Sequence, residues 1–350
     1  MPEPPDQHST RQYLAQLLAA YERVHATPQQ GPASSSFDGQ LQESVLRYLD
    51  MDDQLLIRAG SRAVAEALRH ARVGALRQAR QALRQAEDAA KSSGPLAQAL
   101  SHSFHAAALA YVECRAAQFH RAHELLRESL DADARLIREC GWGVLVAHQI
   151  QVGHNVMRLR AKEGNVLGAA GTGAGLLAFL EGDDTAWPIT DHSGVGDLAA
   201  APTELLIRLA NQIMGEFALL CSRYPADNER LLVAMEQHRR ASPSCSRLPV
   251  CHEWLAVKRL LVAGTEDAYL SAATDFVAQG IRDAPVLWYA TYGDVLGRWR
   301  ASRRSAGVAA AKELAGVLQS PGSLRDQFRS LLDVTGLPES HGVVDDYLCK

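Results

Sequence analysis

Six of the thirteen histidines fall between 102 and 154: His102, His105, His120, His123, His148 and His154. His102/His105 and His120/His123 are i, i+3 pairs, so on helices each pair shares a face. Two such pairs across a hairpin have the donor chemistry for a divalent metal. The helical motifs that normally deliver it, H-E-x-x-H or paired E-x-x-H, are absent, since His123-Glu124 is not followed by a suitably placed histidine. Ordinary surface or half-buried histidines explain the cluster better. The expectation is no metal, with purified protein holding no stoichiometric zinc or iron. Cys245 and Cys251, in CSRLPVCHE, are spaced six apart. Zinc sites favour a tighter spacing and need further ligands. No G-x-S-x-G elbow occurs, so that hydrolase class has no support, and no catalytic residue is assigned. The glycine run from Gly168 to Gly175 lacks the lysine of a P-loop and follows no strand. Close helix packing is its expected role. Asp183-Asp184 and Asp345-Asp346 read as solvated loop pairs. No cofactor is implied.

The chain must position these groups with little aromatic bulk. It has 350 residues, 47% apolar, 22% charged and only 6% aromatic. This excludes disorder and puts the core volume in Leu, Val and Ala. A formal charge of −4 argues against a dedicated nucleic-acid binder. Six scattered cysteines do not make a disulfide framework. The N-terminus has no basic-then-apolar leader, and no strongly apolar stretch of about 20 residues stands out as a bilayer span. The nearest approach, 165–180, reads as a buried helix. A cytoplasmic location without membrane contact is expected.

Apolar residues recur with helical spacing almost throughout, and strand signals are weak. Tyr13, Leu14, Leu17, Leu18, Tyr21 and Val24 share one face, with Ser9 and Gln12 as a capping box. Residues 27–40 read as a flexible linker. Helices are predicted near 41–50, 53–73, 75–91, 96–117, 119–132, 134–163, 165–181, 203–223, 227–241, 249–263, 266–280, 285–304, 306–319 and 323–334. Gly264 stops one helix and Thr265 caps the next. The expected organisation is an N-terminal helix and linker (1–40), a helical-repeat half (41–181), a loop (182–202) and a second helical-repeat half (203–350).

A pattern repeats within these helices. Gly74-Ala75-Leu76 is followed by Ala79, Leu83 and Ala86. Ala117-Gln118-Phe119 is followed by Ala122, Leu126 and Ser129. Gly164-Asn165-Val166 is followed by Ala169, Gly173 and Leu176. Fainter echoes pair Gly264 with Phe276, and Ala310 with Leu314 and Val317. The pattern resembles the second helix of the tetratricopeptide repeat. The markers Ala79, Ala122 and Ala169 are 43 and 47 residues apart, longer than the family's unit, and the family's first-helix Trp, Leu, Gly and Tyr pattern is missing. The implied fold is all-α: an α-solenoid of antiparallel helix pairs with longer helices, the alternative being a helical bundle.

In tetratricopeptide proteins the first helices line a concave groove. Seven residues before each marker Ala stand Arg72, Arg115 and Lys162, with Arg303 before Ala310. The resemblance places Tyr111, Gln151, His154 and Arg158 beside them, and Trp299 in the last unit. Such a basic stripe suits an acidic peptide or terminal carboxylate. Cations at a helix C-terminus also stabilise the dipole wherever they point. The leading reading is therefore a non-enzymatic protein that binds a protein or peptide partner in a groove. A second is a regulatory or sensor module for a small molecule or signalling peptide. A third is an all-α, metal-dependent enzyme or accessory protein using the histidines from His102 to His154.

Overall fold

The computed structural model describes residues 5–26, 36–189, 195–237, 248–282, 284–302 and 305–318. Among these are fourteen α-helices and no strand. In order they are α1 (Pro5–Ala26), α2 (Ser36–Tyr48), α3 (Met51–Arg72), α4 (Leu76–Ala90), α5 (Pro95–Arg115), α6 (Phe119–Cys140), α7 (Val146–Lys162) and α8 (Val166–Leu180). Then follow α9 (Thr203–Arg223), α10 (Asn228–Gln237), α11 (Pro249–Ala263), α12 (Glu266–Ala278), α13 (Pro285–Ala301) and α14 (Ser305–Leu318). The fold is all-α, its helices packed against one another in a manner compatible with a helical repeat. The helix expected at 323–334 lies outside the described residues.

The chain divides into two compact units. The repeat unit is Ala33–Ile213 with Ala234–Ala241. The terminal unit joins Met1–Pro32, Met214–Val233 and Ser242–Lys350. The division falls inside α9, whereas the sequence reading placed a loop boundary at 182–202. That loop, where described, is well packed. Trp187 meets Phe179 edge-on at 5.2 Å, and the Gly196 amide donates to Gln149 Oε1 at 2.8 Å. α9 is also long and apolar enough to span a bilayer, which the sequence reading overlooked, and 72% of that stretch is buried inside the protein.

In the repeat unit each helix from α3 to α8 packs on the next, and α3 also touches α5, as α5 touches α7. The turns joining the pairs are near-copies. Gly74, Ala117 and Gly164 all adopt the left-handed conformation, with φ of 80°, 57° and 83°. The amide after each donates back to the preceding helix: Ala75 to His70, Gln118 to Glu113 and Asn165 to Arg160, at 2.9, 2.8 and 2.9 Å. This is helix termination through a left-handed residue, which favours glycine. The small residue therefore serves the turn, not close helix approach; a Cβ at Gly74 or Gly164 would meet nothing within 4 Å. The markers Ala79, Ala122 and Ala169 are fully buried, where only a small side chain is packed between helices. Gly264 has extended backbone, so this turn does not recur at that echo.

Ala117 is the one non-glycine of the three, and it is solvent-exposed. A left-handed L-residue costs about 1–2 kcal/mol, partly offset by the extra unfolded-state freedom of glycine. Ala117→Gly is expected to raise stability by about 1 kcal/mol, measured by urea unfolding. A loss of stability would contradict this account of the turn.

α6 runs unbroken to Cys140, where Gly141 at φ 69° ends it, instead of stopping near 132 as the sequence suggested. Ser36–Gln40 is helical and not linker. α1 begins at Pro5, before the expected cap at Ser9. The glycines of α8 answer to packing as expected. A Cβ on Gly173 would lie 3.0 Å from Met157, and one on Gly175 would lie 2.8 Å from the Ala186 carbonyl.

In the terminal unit α1 packs against α12 and α14. Its Leu14, Leu17, Ala20 and Tyr21 are buried, and Tyr292 Oη donates to the Leu17 carbonyl at 2.8 Å. Lys258 Nζ is buried and grips both oxygens of Asp294 at 2.6 and 2.7 Å. Burial still pushes the Asp294 carboxyl up, against the pull of Lys258. The nearby Cys221 thiol is pushed up to about 12 by burial, so it stays protonated and inert.

Candidate functional site

The basic residues read from the repeat register sit at the ends of α3, α5 and α7, the helices that touch one another. Arg115 Nη2 donates to the Arg72 carbonyl at 3.4 Å. It thus reaches the C-terminal end of α3, where a cation meets the dipole. Tyr111, Arg158 and Lys162 come together around a notch of about 30 Å³ between α5 and α7, with Cys114 and Asn155. That volume admits a water or one ligand oxygen. Arg158 is buried at 7% exposure, and Lys162 is exposed. Arg158 is thus part of the packed face of α7, while Lys162 stands at its rim.

Gln151 is half-buried on α7 and lies outside the notch lining. His154 is buried, and its Nε2 has no hydrogen-bond partner. Burial, helped by the charge of Arg158, pushes its pKa down to about 3. Trp299 belongs to the terminal unit and is fully buried there, so it is core and does not line a groove. Arg303 lies outside the described residues.

Three of the remaining histidines turn to separate carboxylates. His102 Nε2 is 4.0 Å from Glu128, His120 Nε2 3.3 Å from Glu124, and His123 Nε2 3.1 Å from Glu163. Among the described residues no group of three His, Cys, Asp or Glu is placed to hold a metal. Cys245 lies outside the described residues, and Cys251 is buried.

His148 belongs to a different arrangement. Ser103 Oγ donates to Asp133 Oδ1 at 2.6 Å, and His148 Nδ1 donates to Asp133 Oδ2 at 2.7 Å. All three are buried, tying α5, α6 and α7 together. The composition is that of a Ser-His-Asp triad, but the geometry is not. In a triad serine faces Nε2 while the carboxylate holds Nδ1. Here Ser103 and Asp133 lie on the same ring nitrogen, and Ser103 has no exposure. The group is structural. Phe104 stacks on the His148 ring at 4.1 Å, so the network also sets the position of Phe104.

Phe104 leads to a site the sequence reading missed. α3 and α5 share one apolar cluster toward their C-terminal ends, through Ala67, Ala71, Ala108 and Val112. Toward their N-terminal ends a cavity of about 450 Å³ opens between them. α2 and α4 complete its walls with Leu41, Val45, Ala86 and Ala90. The signals were a regular stripe on α3 (Ile57, Gly60, Ser61, Val64, Ala65, Leu68) and a glycine inside an otherwise good helix.

These features define an all-α protein of antiparallel helix hairpins, with a basic notch and a separate apolar cavity on its repeat unit. The chain matches no family model, no curated protein and no solved structure.

Proposed function

We propose that this is a tetratricopeptide-like, non-enzymatic binding protein that takes an acidic peptide segment across α3, α5 and α7. The observation that supports it is the convergence of Tyr111, Arg158 and Lys162 on one notch. There a carboxylate oxygen gains a guanidinium and an ammonium, with an aromatic wall for the adjoining chain. Arg115 and Arg72 extend the positive field along the helix ends. The protein works in the cytoplasm, without nucleic acid or membrane.

An array of acidic, neutral and basic peptides tests this with the full chain. Acidic peptides are expected to be retained, and retention should fall with salt. Lys162→Glu, at the rim, should mainly slow association and flatten the salt dependence, whereas Arg158→Ala should weaken binding about tenfold or more. Arg115 is a poorer probe because it also caps α3. Equal retention of all three peptide classes, or acidic binding unchanged in folded Lys162→Glu and Arg158→Ala, rejects the reading.

A further inference from the structure

The cavity between α2, α3, α4 and α5 is built like a ligand site. Its volume of about 450 Å³ falls within the range of small-molecule pockets. Val45, Leu100 and Ala86 are buried in its wall, and Leu41, Ile57, Val64, Leu68 and Phe104 are half-buried. The stripe on α3 runs from Ile57 to Leu68, about 16 Å at the rise of an α-helix. The interior is therefore long and apolar.

Gly60 is the telling residue. It stands mid-helix in α3, where glycine costs about 1 kcal/mol relative to alanine. Its φ is not left-handed, and an added Cβ would meet nothing within 4 Å. Neither turn geometry nor close packing requires it. What glycine does there is leave the cavity wall open.

The charged groups of the lining are solvent-exposed and of both signs. Lys91, the residue that follows α4, lies one turn from Glu87, and its Nζ is held by Asp88 at 2.7 Å. His102 has Glu128 beside it. Ser101 and His105, one turn apart on α5, line the cavity without a hydrogen-bond partner among the described residues. Burial holds His105 below the usual histidine range, against the pull of Glu87, and so favours the neutral ring. A neutral imidazole offers one donor and one acceptor.

We propose that this cavity binds an uncharged amphiphile: a hydrocarbon body along the α3 stripe, and a hydroxyl- or carbonyl-type head hydrogen-bonded to Ser101 and His105. With Glu87 and Lys91 one turn apart in the lining, a charged head of either sign meets a like charge beside any opposite one. The notch uses a later stretch of α5, so each site can be altered without the other.

Calorimetric titration of the full chain at pH 7 tests this with 1-decanol, decanoate and decylamine. Decanol is expected to bind saturably at one site, at least about tenfold tighter than either charged chain. Gly60→Leu fills the cavity and should weaken decanol about tenfold or more. Gly60→Ala should leave binding within about twofold and raise stability. Should Gly60→Leu fail to fold, Ala65→Phe, at an exposed position on the rim, takes its place with the same expected loss. Absence of saturable decanol binding, tighter binding of a charged chain, or full affinity in a folded blocking variant overturns the proposal.

Discussion

Asp133→Ala is expected to lower the unfolding free energy of the repeat unit by about 2–5 kcal/mol, because it strips two buried polar groups of their shared acceptor at about 1–3 kcal/mol each. Asp133 has no solvent exposure and accepts from both Ser103 and His148. Alanine leaves two buried polar groups without their acceptor, on two different helices. Asp133→Asn should cost less, because its amide oxygen still accepts from Ser103. Replacing Ser103, Asp133 and His148 together with apolar residues of similar size should recover much of the loss, since nothing buried is then left unpaired. Urea unfolding of the single and triple variants measures both effects. An Asp133→Ala cost below about 1 kcal/mol would mean that water reaches the site. Because Phe104 stacks on His148, the single variant should also loosen the cavity wall.

That network explains a misreading of the sequence. A run containing Asp131 and Asp133 looks like a helix break, because aspartate is a poor helix former and a good loop residue. Asp133 stays in the helix because its partners are Ser103 and His148, remote in sequence. Local pattern carries no trace of such a pairing. The helix hairpins were legible for the opposite reason. A left-handed turn demands a small residue at one position, and close packing demands another five residues on, both local signals. Even so, spacing alone did not separate these two demands.

The candidate sites divide in the same way. Arg158 and Lys162 are one turn apart on α7, and the repeat register carried Tyr111 to them across helices. Trp299 failed because its register rested on the Ala310 echo, in a unit that lacks the repeated turn at Gly264. The cavity was not legible because four helices line it. The α3 stripe reads as an ordinary buried face; only the packing leaves it partly uncovered. Gly60 was visible, but a helix-interior glycine means close contact at Gly173 and open space here.

Acid should destabilise the repeat unit through His154. In the fold its imidazole titrates near 3, because burial opposes the charged ring and Arg158 adds repulsion. In the unfolded chain it titrates near 6.5. Between those values the unfolded state holds a proton that the folded state does not, so stability rises with pH across this window. The contribution is fully present above about pH 6.5 and is lost as pH falls toward about 3, at about 1.4 kcal/mol per pH unit. From pH 7 to 5 the loss is about 2 kcal/mol. His154→Leu removes the titrating ring and its unpartnered Nε2 while keeping an apolar body in the α7 core. The variant should match or exceed the wild type at pH 7, and should fall less by about 2 kcal/mol between pH 7 and 5. Urea unfolding at the two pH values checks this directly. Parallel losses in both proteins would show that His154 gains a proton without cost, and hence that the ring opens to water inside the native fold.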